Sequence, residues 1–329
     1  MGFMDMRALR EFSQAETGAA EIEHFASGHG IWLPEDVRAE LAEVQSGATA
    51  AELTAGVVSL RNLMPGGDLF HTALLALLCG TMVERGADPG AAIDATLELL
   101  TRQLDALAEK PDELTRAAGQ LSLPAAMTML SRSKETRKRW RERPAIMDRL
   151  DQLEEDELVP FWLREMFTLH DDVELLVLDP KNRRAFEFRL IGVRDRLYHC
   201  YALLQDALLR HAGPGYLDAE PVDPAAVRYA RNDRLTREDH AAAATLMDHQ
   251  RFHFAYPGVG FMPGSGSPSE LPTLDGKPLL TVAPKGIHFN WRPSNMYGVL
   301  HEALASSVEL THEFDSAEAA ALLSRCGLA

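Results

Sequence analysis

The sequence predicts an α+β fold in which a helical N-terminal domain precedes a mixed domain. Two observations support this prediction. Apolar residues recur at helical spacing through the first half of the chain, whereas a hairpin pattern followed by an amphipathic helix opens the second half. The 329 residues are enough for two domains, which we place at 1–165 and 166–329.

The first domain is predicted to be a helical bundle. Residues 1–30 have weak periodicity and predict a loosely ordered or locally docked arm. Asp68 is a suitable N-cap and Gly86 a suitable C′ residue for a helix that is apolar on nearly all sides. Two imperfect helix pairs are too few for a solenoid, so a bundle is favoured. Other apolar stripes predict helices through Val37, Leu41 and Val44, through Leu53, Val57, Leu60 and Met64, and through Ile93, Leu97, Leu100, Leu104 and Leu107.

The most regular pattern of the chain lies between Asp171 and His211. Val173, Leu175 and Val177 alternate with their neighbours, which is typical of a strand. A turn over residues 179–182 precedes a second alternating run, and the two runs predict a β-hairpin. Apolar residues then recur at helical spacing from Leu197 to Leu208, so the hairpin leads into an amphipathic helix.

This hairpin-plus-helix opening resembles that of a β-grasp or winged-helix-like peptide-recognition module. The resemblance covers about forty residues, from Asp171 to His211. It implies that a partner peptide adds a strand to the hairpin edge.

Downstream, proline-spaced residues predict a connector, and Thr236 with Asp239 predicts the start of another helix. We expect that helix to carry His240, His249 and His253.

The segment 256–271 is rich in Gly, Pro and Ser, and predicts a long loop that is a candidate lid. Asp275 and Gly276 predict a hairpin turn before a strand over 279–282. Alternation over 287–292 predicts a strand with one polar face. Further predicted elements are a short helix from Ser294, a strand over 308–314 and a helix over 316–325.

The composition disfavours several classes of protein. A net charge of −16 opposes binding to nucleic acid or to an anionic membrane. The longest apolar run, Thr72 to Met82, is shorter than the ~20 residues that span a bilayer. Three widely spaced cysteines predict reduced thiols, and the N-terminus has no secretory pattern. We therefore expect a cytoplasmic protein, and the excess of Arg over Lys indicates a bacterial source.

A basic segment, Arg132–Arg143, contains seven basic and two acidic residues, and the acidic segment 148–157 follows it. The basic segment is interpreted either as a phosphate or nucleic-acid patch or as a solvated helix face paired with its acidic neighbour. The net charge of the chain favours the second interpretation.

Histidines provide one candidate site, a metal centre. On a helix, His249 and His253 would share a face, which is the spacing of metal-binding helices. His288 is the candidate third ligand, with Glu302 or His312 as a fourth. The alternative is that these are surface or hydrogen-bonded structural histidines.

The polar face of the strand predicted over 287–292 provides a second candidate site. His288, Asn290 and Arg292 would bind an anion or carboxylate beneath the loop 256–271. The alternative is a solvated strand face without a ligand.

The sequence contains no familiar catalytic motif and identifies no cofactor. The leading hypothesis is an interaction or accessory protein that binds a peptide or protein partner. The alternative is an enzyme with its site under the loop 256–271, which acts with or without a metal ion. Neither the reaction nor the oligomeric state follows from the sequence.

Overall fold

The computed structural model describes residues 6–109, 111–155, 161–259, 262–286 and 291–328. Within these ranges, helices combine with a mixed sheet, consistent with an α+β fold. The chain divides into two compact units, Met1–Phe167 and Thr168–Ala329. No helix in the described ranges has the length and apolar character needed to cross a membrane.

The first unit is helical throughout its described part. Its α-helices are α1 (Arg7–Gln14), α2 (Ala19–Ala26), α3 (Glu35–Gln45), α4 (Ala50–Leu63), α5 (Leu69–Glu84), α6 (Ile93–Glu109), α7 (Glu113–Ser131), α8 (Lys134–Arg141), α9 (Pro144–Glu155) and α10 (Phe161–Thr168). The central helix is α5, which packs against α1, α4, α6 and α7. Its apolar residues point in all directions because neighbours surround it.

α5 and α7 pack closely against each other. A Cβ atom on Gly80 would lie 3.0 Å from the Cα atom of Ala125. Glycine therefore allows the two helix backbones to approach each other more closely than a larger residue would.

The N-terminal residues form two helices, and α1 packs against α3 and α5 whereas α2 packs against α7. Of the two predicted alternatives for residues 1–30, a loosely ordered or a locally docked arm, the docked one is confirmed for α1 and α2. One Asp68 carboxylate oxygen accepts hydrogen bonds from the N–H groups of Phe70 and His71 and thereby caps α5. The other oxygen accepts from the N–H of Thr17, at 2.7 Å. The arm is thus held by hydrogen bonds together with a few apolar contacts, such as that between the Phe25 and Phe70 rings, 5.8 Å apart.

The second unit contains a six-stranded mixed sheet with the order β3-β5-β1-β2-β6, and β4 pairs with β5 beside this path. The elements are β1 (Val173–Asp179), β2 (Arg184–Ile191), α11 (Leu197–Ala212), α12 (Pro224–Arg231), α13 (Arg237–Thr245), β3 (Phe252–Ala255), β4 (Thr273–Leu274), β5 (Lys277–Pro284), α14 (Pro293–Met296), β6 (Ser307–Glu313) and α15 (Ser316–Arg325). β1 and β5 are parallel, whereas the other pairs are antiparallel.

Helices cover both faces of this sheet. Leu175, Val177 and Phe188 belong to the core on the α11 side. Leu176 and Leu178 point the other way, into a smaller core that includes residues of α15. Successive residues of β1 are therefore buried on opposite faces, which explains its continuous apolar run.

The structure contains the predicted hairpin, but the hairpin is central in the sheet. β1 pairs with β2 and β5, and β2 pairs with β1 and β6. The expectation that a partner adds to the hairpin edge is therefore wrong, because both of its outer sides already have a strand neighbour.

Two predictions between the hairpin and β3 are also wrong. The predicted connector contains α12, which begins at Pro224 after an Asp223 N-cap. The helix that starts at Thr236 ends at Thr245, before His249. Asp248 then has φ 53°, a left-handed conformation that is incompatible with continuing the helix.

Candidate functional site

The outer side of β6, here called the β6 edge, is the open edge of the sheet. β6 has one strand neighbour among the described residues, β2. The paired positions run regularly from Ile191 opposite Ser307 to Phe188 opposite Leu310. The register then shifts, and Thr311 is the extra residue of a β-bulge.

The opposite edge of the sheet is capped. The Gln250 side-chain amide donates a 2.9 Å hydrogen bond to the Phe252 carbonyl oxygen of β3. The Met262 N–H donates to the Phe254 carbonyl oxygen at 3.3 Å. These two bonds occupy acceptors that an added strand would need, so the β6 edge is the better position for strand pairing.

Acidic side chains lie along the β6 edge. Glu309 is exposed, stands opposite Arg189 of β2 and accepts a 3.0 Å hydrogen bond from the Ser307 hydroxyl. Glu313 accepts hydrogen bonds from His211, at 2.6 Å, and from Arg184. Partial burial tends to raise the pKa of Glu313, but these donors outweigh it and lower the pKa.

His249 is buried in a loop of the second unit, with 1% of its surface exposed. Its ring lies edge-on to the Trp291 ring, with centroids 4.0 Å apart. Burial, reinforced by Arg251, lowers the pKa of His249 to about 4. The imidazole is therefore neutral near pH 7.

Four buried polar groups, on three side chains around Trp291, lack a hydrogen-bond partner within the described part of the chain. They are the two ring nitrogens of His249, the Trp291 indole N–H and the Tyr297 hydroxyl. Trp291 and Tyr297 have ring centroids 6.0 Å apart. Buried polar groups normally have partners, so this cluster is a place where a ligand, water or further residue is expected.

The helical geometry predicted for the metal centre does not occur. His249 lies in a loop and His253 lies on β3, so they do not share a helix face. His288 lies outside the described residues. Within those residues, no three His, Cys, Asp or Glu side chains are close enough to hold a metal ion. His312 is on β6, and Glu302 is exposed.

Only one residue of the predicted anion site lies in the described ranges. Arg292 is exposed at the N-cap of α14, not on a strand. His288 and Asn290 lie outside those ranges, so their grouping with Arg292 stays a prediction.

The loop predicted over 256–271 is anchored to the start of α11. The carbonyl oxygens of Gly266 and Gly264 accept hydrogen bonds from the N–H groups of Leu197 and Tyr198, at 2.8 and 2.7 Å. A Cβ atom on Gly264 would lie 2.3 Å from the Tyr198 ring. The loop thus satisfies donors that the helix itself leaves free, and the contact requires glycine.

A Ser–Asp–His arrangement, which sequence reasoning missed, also anchors this loop. Asp195 accepts hydrogen bonds from His170 Nε2, at 2.7 Å, and from the hydroxyls of Ser267 and Ser269. The serine hydroxyls donate to the carboxylate and not to the imidazole. This arrangement consequently lacks the serine–imidazole bond of a nucleophilic triad and acts as a structural clasp.

Comparison with known proteins gives no relative on which to base a function. Neither family models nor curated proteins nor solved structures match the chain. Functional inference therefore depends on the contacts of the chain itself.

Proposed function

We propose that this protein binds an extended segment of a peptide or protein partner by strand addition at the β6 edge. The observation that carries the proposal is that β6, seven residues long, pairs with β2 on one side only among the described residues. Main-chain hydrogen bonds to the added strand supply affinity, and side chains along the edge supply selectivity.

The chemistry of the β6 edge favours a basic partner. Glu309 is exposed in the regular part of the strand. In a pair formed between two copies of this strand, acidic groups would oppose one another and disfavour association. A partner with Lys or Arg opposite Glu309 avoids this repulsion, so the same side chain selects for one class of partner and against self-association.

The topology of the second unit supports the β-grasp alternative over the winged-helix one. A hairpin, a helix over one face and a later strand parallel to the first strand describe a β-grasp arrangement. Here β2, β1, β5 and β3 are adjacent in that order, and β1 is parallel to β5. The proposal includes a cytoplasmic bacterial setting, with which free thiols at all three cysteines are compatible.

The test starts with a library of random peptides displayed on phage and selected on the full-length protein. We expect selected peptides to be extended and rich in Lys or Arg. Their binding should slow hydrogen exchange of the amides in Ser307–Glu313. N-methylation of alternate peptide bonds, with the side chains unchanged, should abolish binding because it removes ladder donors.

A matched pair of variants tests the selectivity. Glu309→Gln removes the charge at the β6 edge, and Glu220→Gln removes an exposed charge outside the sheet in the same unit. Glu309→Gln should weaken peptide binding several-fold, whereas Glu220→Gln should leave it unchanged. Peptides that bind without protecting the β6 amides, or that bind equally after N-methylation, contradict the proposal.

A second candidate function is an enzyme with its site around His249, which acts with or without a metal ion. The observation that favours it is the buried imidazole without a hydrogen-bond partner in the described residues. Elemental analysis of the purified protein tests the metal-assisted form. A stoichiometric metal that is lost in His249→Ala but kept in His240→Ala, a change at an exposed histidine, supports it. Absence of bound metal from the unsubstituted protein counts against it.

A further inference from the structure

The first unit contains a cleft of about 540 Å³, here called the arginine cleft. Arg61, at the end of α4, Arg102 of α6 and Arg143, between α8 and α9, line it together with Glu98 and Trp140. Its volume is in the range of pockets that hold small organic molecules, about 300–1,000 Å³.

The charge of the arginine cleft is opposite to that of the chain. Among the described residues, its lining contains three arginines and a single acidic residue, Glu98, so the difference is two positive charges. The whole chain has a net charge of −16. A positive cleft in an acidic protein indicates an anionic ligand more specifically than the same cleft in a basic protein.

Other arginines nearby are engaged with carboxylates. Arg132 pairs with Glu84 at 2.7 Å, and Arg139 pairs with Asp94. The predicted pairing of the basic segment with its acidic neighbour is therefore replaced, for these two residues, by pairing with α5 and α6. The arginines of the cleft form no such ion pair within the described residues, which leaves their guanidinium groups available to a ligand.

Two of the cleft arginines are held by contacts that do not neutralise them. Arg61 donates hydrogen bonds to the Ala91 carbonyl oxygen, at 3.1 Å, and to the Asn62 side-chain oxygen, at 3.0 Å. The Arg143 guanidinium lies over the Trp140 ring, 3.9 Å from its centroid. A guanidinium stacked in this way is oriented but keeps its charge and its edge donors.

The remainder of the lining is largely apolar and rigid. Trp140 is 2% exposed, and its indole N–H donates a 3.0 Å hydrogen bond to Asp94, which fixes the ring. Met64 and Ile146 are buried alongside it. Such a surface accommodates the planar, apolar part of a ligand, whereas the arginines bind its anionic part.

We propose that the arginine cleft binds a phosphate monoester that carries a planar ring, the chemical class of a nucleoside monophosphate. The two surplus positive charges match a phosphate dianion, for which the arginine fork is well suited. Pro65 and Ala95, the more exposed apolar residues of the lining, match the ring. The buried Met64, Trp140 and Ile146 support them from below. The acidic remainder of the chain opposes a long polyanion such as RNA.

Adenosine monophosphate is the probe, titrated calorimetrically into the full-length protein at low ionic strength. It should bind at one site per chain, and both adenosine and inorganic phosphate should bind at least about tenfold more weakly. Raising the salt concentration should weaken its binding, because charge attraction drives the interaction. Absence of adenosine monophosphate binding overturns the proposal, as does equally tight binding of adenosine or of phosphate.

Variants locate the site. Arg102→Gln and Arg143→Gln change exposed side chains, and each should weaken adenosine monophosphate binding about tenfold, consistent with a charge-assisted hydrogen bond. Arg38→Gln removes the same charge from an exposed position of α3 outside the cleft and should have no effect. Equal weakening by Arg38→Gln overturns the proposal. Thermal unfolding of each variant verifies that the fold is retained.

Discussion

Arg189 of β2 lies directly opposite Glu309 of β6, at the open side of the sheet. The two side chains are exposed, so water and salt screen their attraction. Because Glu309 is on the outer strand and Arg189 is on the strand behind it, an incoming strand next to β6 meets the negative charge first. This pair therefore connects the stability of the edge to its proposed selectivity.

The Arg189–Glu309 pair should contribute a small coupling energy. In a double-mutant cycle with Arg189→Gln and Glu309→Gln, we expect a coupling of roughly 0.2–1 kcal/mol, the usual size for a cross-strand charge pair. Urea unfolding of the four proteins measures it. The exchanged pair, Arg189→Glu with Glu309→Arg, should regain most of the free energy of unfolding that either charge reversal alone loses. A coupling well above this range would contradict the solvated geometry.

Two buried histidines should make the free energy of unfolding depend on pH. Burial lowers the pKa of His249 and of His199 to about 4. In the unfolded chain both rings take up protons near their ordinary pKa of about 6.5. The stability is therefore fully present above about pH 6.5 and decreases as the pH falls towards 4. Each histidine contributes up to about 1.4 kcal/mol per pH unit in that window.

A single substitution measures the contribution of His249 to this pH dependence. His249→Gln removes one titrating ring, so the stability of this variant should fall less steeply between pH 6.5 and 4 than that of the unsubstituted protein. Acidic residues titrate in both proteins and cancel in the difference. Parallel pH profiles of the two proteins, measured by urea unfolding, would show that His249 keeps an ordinary pKa in the folded state.

Local patterns in the sequence predict the hairpin and the helix that follows it. The alternation over Val173–Val177 and the spacing over Leu197–Leu208 each depend on residues close in the chain. The pairing of β2 with β6 does not depend on nearby residues, because β6 comes more than a hundred residues later in the chain. Strand pairing at such separation leaves no local periodicity, so the sequence could not show that the hairpin has no free edge.

The shared helix face of His249 and His253 was mispredicted because the end of a helix is poorly marked in the sequence. Thr236 correctly indicates the start of α13. The alanines after Thr236 are good helix formers, and no glycine or proline lies between Thr236 and His249. The residues beyond the helix instead pair with β5 as β3, so tertiary pairing outweighs local propensity. The separation of four residues between His249 and His253 therefore does not place their side chains on one helix face.

The contact between Gly264 and Tyr198 should not tolerate a side chain. Gly264→Ala would place Cβ 2.3 Å from a ring carbon, so the ring or the loop must move. We expect a loss of roughly 1–3 kcal/mol in the free energy of unfolding, the usual cost of overpacking. Gly286→Ala is the matched control, because a Cβ there would have no atom of the described residues within 4 Å and its φ is not in the left-handed region. The control should change the stability by less than about 0.5 kcal/mol.

The three cysteines should differ in reactivity. Burial raises the pKa of Cys79 and of Cys200 to about 12, so almost no thiolate forms at pH 8. Cys326 is partly exposed, and its pKa is raised less. A disulfide reagent such as Ellman's should therefore modify one thiol per folded chain, and all three after denaturation. We expect the Cys326 thiol to react in a fast phase, which Cys326→Ser should remove.

Loss of that fast phase is specific to the position of Cys326. Cys200→Ala, which removes a fully buried thiol, should leave the fast phase unchanged and should reduce the total after denaturation to two. Rapid modification of more than one thiol in the folded protein would mean that the core of one of the two units opens on the time scale of the reaction. Repeating the measurement in Cys79→Ala then shows which unit opens, because Cys79 belongs to the first unit and Cys200 to the second.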